Sequence, residues 1–105
     1  MLSVYKFPFQ VDDSVTLELP RGAKVLKVDL MGGDPCMWAL VDRTRAEERD
    51  TIGDQGEQMV DSEFRTFRIA GTGHVIKYIV EELDYIDSFK MRDGRLIFHV
   101  FELLT

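Results

Sequence analysis

The 105-residue sequence predicts an all-β fold, mainly antiparallel: a small sandwich or barrel of about seven strands, with room for one short helix. Three observations carry this reading. Short runs alternate apolar with polar residues at a period of two. Turn-forming residues punctuate those runs at intervals of roughly 8 to 12 residues. The crossover helices of about a dozen residues that a parallel α/β fold requires are missing, with Val75 to Leu83 coming nearest. The length suits a single β-rich domain over residues 1–105, because either half alone would bury too little surface.

Ser3 to Phe7 reads as an opening strand, which Pro8 ends or marks as a sheet edge. Asp12, Asp13 and Ser14 supply a turn. Val15, Leu17 and Leu19 then alternate with Thr16 and Glu18, which puts one face in a core and the other in water. Leu19-Pro20-Arg21-Gly22 predicts a tight turn with Pro20 at its second position. Alternation resumes from Ala23 to Leu30. The loop Gly32-Gly33-Asp34-Pro35 and the apolar run Cys36 to Val41 follow, as in a β-hairpin. That second arm is apolar at every position, so it needs cover on both faces, and Trp38 within it is assigned to the core.

Residues 43–62 break the pattern. From Arg43 to Glu63 there are seven acidic and three basic side chains, so the segment reads as a flexible acidic insertion rather than a core strand. Thr44 and Glu47 have capping-box spacing, which allows a short surface helix to Arg49. Strand character returns at Phe64 to Ala70 and ends at Gly71-Thr72-Gly73-His74. Ile76, Ile79, Val80 and Leu83 have the spacing of an amphipathic helix, against a β-branched content that favours extended chain; one or two helical turns are predicted. Asp93-Gly94 is the strongest hairpin signal, pairing residues near Phe89 with residues near Leu96. The returning arm, Arg95 to Leu104, reads as a central strand.

The longest apolar run is far below the 18 or so residues of a membrane-spanning helix, and the first ten residues lack the apolar stretch of a secretory signal. A cytoplasmic location is expected. The net charge of −6 repels nucleic acid phosphates, and the basic residues are scattered, so no direct nucleic acid binding is expected. Cys36 has no second cysteine to pair with and reads as a buried small hydrophobe.

Gly71, Thr72, Gly73 and His74 are the candidate ligand-binding residues, since two glycines can free adjacent N–H groups to face an anion. The segment fits neither the dinucleotide fingerprint nor the Walker A pattern, and a purely structural turn is the competing reading. Two histidines and one cysteine in separate elements make no metal site, and no cofactor is expected. His99 reads as a packed strand histidine with one ring nitrogen hydrogen-bonded. Pairing Cys36 or a serine with His74 or His99 lacks any supporting motif, so an enzyme is disfavoured. Glu47, Glu48, Asp50, Asp54 and Glu57 in the acidic insertion are candidates for meeting a basic protein partner.

Tyr5-Lys6, the Leu19-Pro20 and Gly22-Ala23 turn, Trp38-Ala39-Leu40-Val41-Asp42, Phe67 to His74 and Phe98-His99-Val100-Phe101-Glu102 together resemble a family of small uncharacterised phage and bacterial proteins. The resemblance implies a phage or prophage source and transfers no catalytic residue. The chain departs from the pattern in Arg43 to Glu63 and in Val75 to Glu82. Two functions are therefore expected in competition. One is a noncatalytic phage-type accessory protein that binds a protein partner, such as an inhibitor of a host enzyme or defence system. The other is a binder of a nucleotide or phosphorylated metabolite through Gly71 to His74. A symmetric homodimer is also expected, because Cys36 to Val41 and Leu96 to Leu104 are apolar on both faces.

Overall fold

The computed structural model describes residues 1–43 and 61–104. Seven strands lie within them: β1 (Leu2–Pro8), β2 (Ser14–Pro20), β3 (Lys24–Met31), β4 (Asp34–Asp42), β5 (Ser62–Gly71), β6 (Leu83–Met91) and β7 (Leu96–Leu103). They form a three-stranded sheet of order β1-β4-β3 and a four-stranded sheet of order β2-β5-β7-β6, paired antiparallel throughout. The all-β sandwich follows from the alternation that the sequence carries. Val28, Met37, Ala39 and Val41 from one sheet meet Leu19, Phe67, Ile69, Phe89 and Val100 from the other in one buried cluster. Phe9, on the link from β1 to β2, closes the cluster edge-on against Phe89, with ring centroids 6.3 Å apart.

Three turns set the strand order. Pro20 is the last residue of β2 and the first, not the second, of its turn, since Ala23 N–H donates to the Pro20 carbonyl at 3.0 Å. Gly22 supplies the positive φ of 79° that this turn demands, and the chain passes there from one sheet to the other. Gly32 and Gly33 alone make the β3–β4 turn, while Asp34 and Pro35 belong to β4. The β6–β7 hairpin is present, but Phe89 faces Phe98 and Met91 faces Leu96. Arg92, Asp93 and Gly94 all take positive φ in its loop.

Two predicted features change. Val75 to Leu83 is not an amphipathic helix: a single 3₁₀ turn covers Val80–Glu82, and Val75, Ile79 and Val80 are exposed. The topology supplies the reason. β5 and β6 run parallel with β7 between them, so residues 72–82 must travel back along β7 while moving two strands sideways. A nine-residue helix advances only about 13 Å, whereas five strand residues span about 17 Å. Trp38 is not a core residue either. It shares a face of β4 with Leu40 and Asp42, opposite to Met37, Ala39 and Val41, and is half-buried on the outside of the sandwich.

The sandwich is tied along one side. β3 and β6 are edge strands of different sheets, each bulged, β3 between Val25 and Lys27 and β6 between Tyr85 and Asp87. There Val28 N–H donates to Asp87 Oδ2 at 2.9 Å.

Candidate functional site

The end of β5 delivers Gly71 and Thr72 beside the start of β7. Thr72 N–H donates to the Ile97 carbonyl at 3.2 Å, and His74 N–H to the Gly71 carbonyl at 3.0 Å. The His74 ring folds back over Gly71, whose N–H donates to His74 Nδ1 at 3.3 Å. A Cβ at position 71 would lie 2.9 Å from that ring, so the glycine is required by close approach and not by its φ. Thr72 Oγ1 and His99 Nε2 share a hydrogen bond of 2.7 Å. Both histidines of the chain therefore meet one loop. The sequence hides this, because His99 reaches Thr72 only through the pairing of β5 with β7, which puts Ala70 opposite His99.

Most of the loop's backbone donors are thus occupied, unlike those of an open anion nest. Beside it lies a cleft of about 260 Å³. Leu96, Ile97 and Phe98 form its apolar side, and Gly71, Thr72, His74 and Arg95 line the rest. Sequence reading did not find Arg95, which lies beside the glycine loop because β5 pairs with β7 and sets Gly71 opposite Phe98. No cluster of three or more His, Cys, Asp or Glu side chains able to hold a metal occurs among the described residues. Cys36 is buried and free.

A second surface is the outer face of the three-stranded sheet. Register places Lys6 of β1 and Lys27 of β3 on either side of Trp38, and Val4 and Lys24 on either side of Leu40. Leu2, Val4, Leu26 and Met31 are exposed around them. A shallow depression lined by Val4, Leu26, Leu30 and Trp38 runs through the patch. Lys27 is paired with Asp29 at 3.4 Å, and Lys6 Nζ donates to Met31 Sδ at 3.4 Å. Asp29 is held below the usual carboxylate range, first by the Leu30 N–H it accepts, against the opposing effect of desolvation, with Lys27 adding to the lowering.

On the four-stranded sheet, the stretch 72–82 crosses the outer face, and Arg68 Nη2 donates to the Val75 carbonyl at 3.2 Å. This sheet's outer face is consequently part-covered, whereas no described element lies over the Trp38 face. The candidate partner-binding residues Glu47, Glu48, Asp50, Asp54 and Glu57, and the Thr44 to Arg49 helix, fall outside the described residues.

No helix among the described residues is long and apolar enough to cross a membrane. No curated protein and no solved structure matches the chain. One family does match, over residues 1–105, and the chain belongs to it: the family described as a domain of unknown function, DUF7352.

Proposed function

We propose that the protein is a noncatalytic phage-type accessory protein that binds a protein partner, in the manner of an inhibitor of a host enzyme or defence system. The observation that carries this reading is Trp38, half-buried between Lys6 and Lys27 on a sheet face that no other described element covers. Tryptophan at the centre of an apolar patch rimmed by polar groups is the usual anchor of a protein interface. Lys6 and Lys24 have no carboxylate partner among the described residues, in a chain that carries a net charge of −6. This local reversal of sign favours a partner segment that offers apolar and acidic side chains. A twofold homodimer through the same face would set Lys6 and Lys27 against their own copies.

The test compares the full chain with Trp38→Ala and with Lys6→Glu/Lys27→Glu. Proteins captured on the full chain from infected-cell lysate are identified, purified and rebound. Trp38→Ala should weaken the purified partner about tenfold or more. The lysine variant should weaken it too and remove its salt dependence. A partner that binds both variants as it binds the full chain would overturn the assignment of this face. Light scattering that finds a dimer, dissolved by Trp38→Ala, would make a second copy the occupant instead.

A further inference from the structure

We infer that the cleft between the Gly71–His74 loop and the start of β7 binds a small phosphorylated molecule with an apolar or planar body. The inference stands apart from the sheet-face reading, because it concerns the other sheet and a different class of ligand. Its first support is charge. Between residues 90 and 97, Lys90, Arg92 and Arg95 face a single carboxylate, Asp93, in a chain where acidic residues outnumber basic ones. None of the three cations has an ion pair among the described residues, and Arg95 uses only its Nε, at 3.4 Å to the Arg92 carbonyl. Its terminal nitrogens are left to bind an oxyanion, which guanidinium groups do with directional, charge-assisted hydrogen bonds.

The second support is the state of His74. The Gly71 N–H donates to Nδ1, so a neutral ring carries its proton on Nε2 and has a donor to offer. The Gly73 N–H is the one loop donor between positions 71 and 74 that no described group accepts. Arg95 and His74 thus stand at an opening, lined also by Gly71 and Thr72, whose opposite side, Leu96 to Phe98, has nothing to offer a phosphate. That apolar side suits the body of the ligand, and Leu96 and Ile97 keep part of their surface open to it. Size narrows the class. A volume of about 260 Å³ falls just below the usual range of roughly 300 to 1,000 Å³ for small-molecule sites, so one phosphorylated unit fits and a dinucleotide does not.

The experiment is a ¹H–¹⁵N titration of the full chain with adenosine 5′-monophosphate, inorganic phosphate and adenosine. Adenosine monophosphate should shift the Gly71, Gly73 and His74 amides saturably at millimolar concentration or below. Phosphate should shift the same amides more weakly, and adenosine least. Arg95→Gln should reduce the affinity for adenosine monophosphate about tenfold, with the remaining spectrum showing the fold intact, whereas Lys77→Gln should leave it unchanged. Adenosine matching its monophosphate, an Arg95→Gln variant binding like the full chain, or loop amides unmoved by 10 mM of every probe would each overturn the proposal.

Discussion

The carboxylate of Asp87 accepts a hydrogen bond from the main chain of Val28 at 2.9 Å, joining the edge of one sheet to the edge of the other. Val28 is only 1% exposed, so its N–H depends on this carboxylate for its hydrogen bond. Stranding a buried donor costs about 1–3 kcal/mol, whereas a replacement that keeps an acceptor costs less. Asp87→Ala should therefore lower stability by that amount in urea denaturation. Asp87→Asn, with its amide oxygen turned to Val28, should recover most of it. Equal losses in the two variants would mean that the bond does not hold the edges together.

Gly71 and His74 form a pair that a double-mutant cycle can isolate. Gly71→Ala pushes the His74 ring away and breaks the Gly71 N–H to Nδ1 bond, at a cost of about 1 kcal/mol. In a His74→Ala background the added methyl meets no ring, so the same change should be neutral or slightly stabilising. Thermal midpoints of the four proteins check this, at roughly 4 °C or more per kcal/mol for a domain of this size. Additive losses would show that the ring does not rest on Gly71.

These two contacts mark where sequence reading succeeds and where it stops. β2 is legible because Val15, Leu17 and Leu19 point inward and Thr16 and Glu18 outward, a pattern that needs no knowledge of neighbours. Gly32-Gly33 and Asp93-Gly94 are legible because left-handed backbone selects its residues locally. Trp38 was misplaced because a run apolar at every position does not say which of its faces has a second layer above it. Val75 to Leu83 was misplaced because its apolar spacing suits a helix, while the distance it must cover is set by β7, which follows it in the chain. The loop at Gly71 was visible as a candidate. Arg95 and His99, which give it chemistry, arrive through the pairing of β5 with β7, which sets Gly71 opposite Phe98 and Ala70 opposite His99, and no local pattern encodes them.

Asp29 gives the protein a small acid-side dependence. Its folded pKa lies below the ordinary 3.8, chiefly through the Leu30 N–H at 2.8 Å, so its contribution is complete above the ordinary value and lost as pH falls through the lower folded one. The group is about half exposed, so screening keeps the effect small. Asp29→Asn should lower the urea midpoint slightly at pH 7 and leave it unchanged at pH 2 relative to the parent. A difference of the same size at both pH values would assign the loss to something other than the ionised carboxylate.

The ion pair between Arg65 and Glu102 is bidentate and partly buried. Arg65 Nε and Nη2 donate to the two carboxylate oxygens at 2.6 and 2.9 Å, and Nη1 donates to the Ala23 carbonyl at 2.5 Å. The two side chains are 17% and 14% exposed, and Glu102 holds the guanidinium pKa above its ordinary value, against the opposing effect of burial. Both project from the core-facing sides of neighbouring strands, Arg65 two residues before Phe67 and Glu102 two after Val100. Removing one partner leaves the other charged in a poorly hydrated place, which costs about 3–5 kcal/mol when burial is complete and about 2–3 kcal/mol at this exposure. Arg65→Met should show that loss in urea denaturation at pH 7. The double variant Arg65→Met/Glu102→Leu should recover at least half of it, because two apolar side chains of similar volume leave no orphaned charge: the Ala23 carbonyl loses its donor, and Glu63, 3.7 Å from Arg65, keeps Arg21 and the Gly22 N–H. If the loss in the double variant were the sum of the two single losses, Arg65 and Glu102 would not be coupled and the assignment of the loss to an orphaned charge would fail.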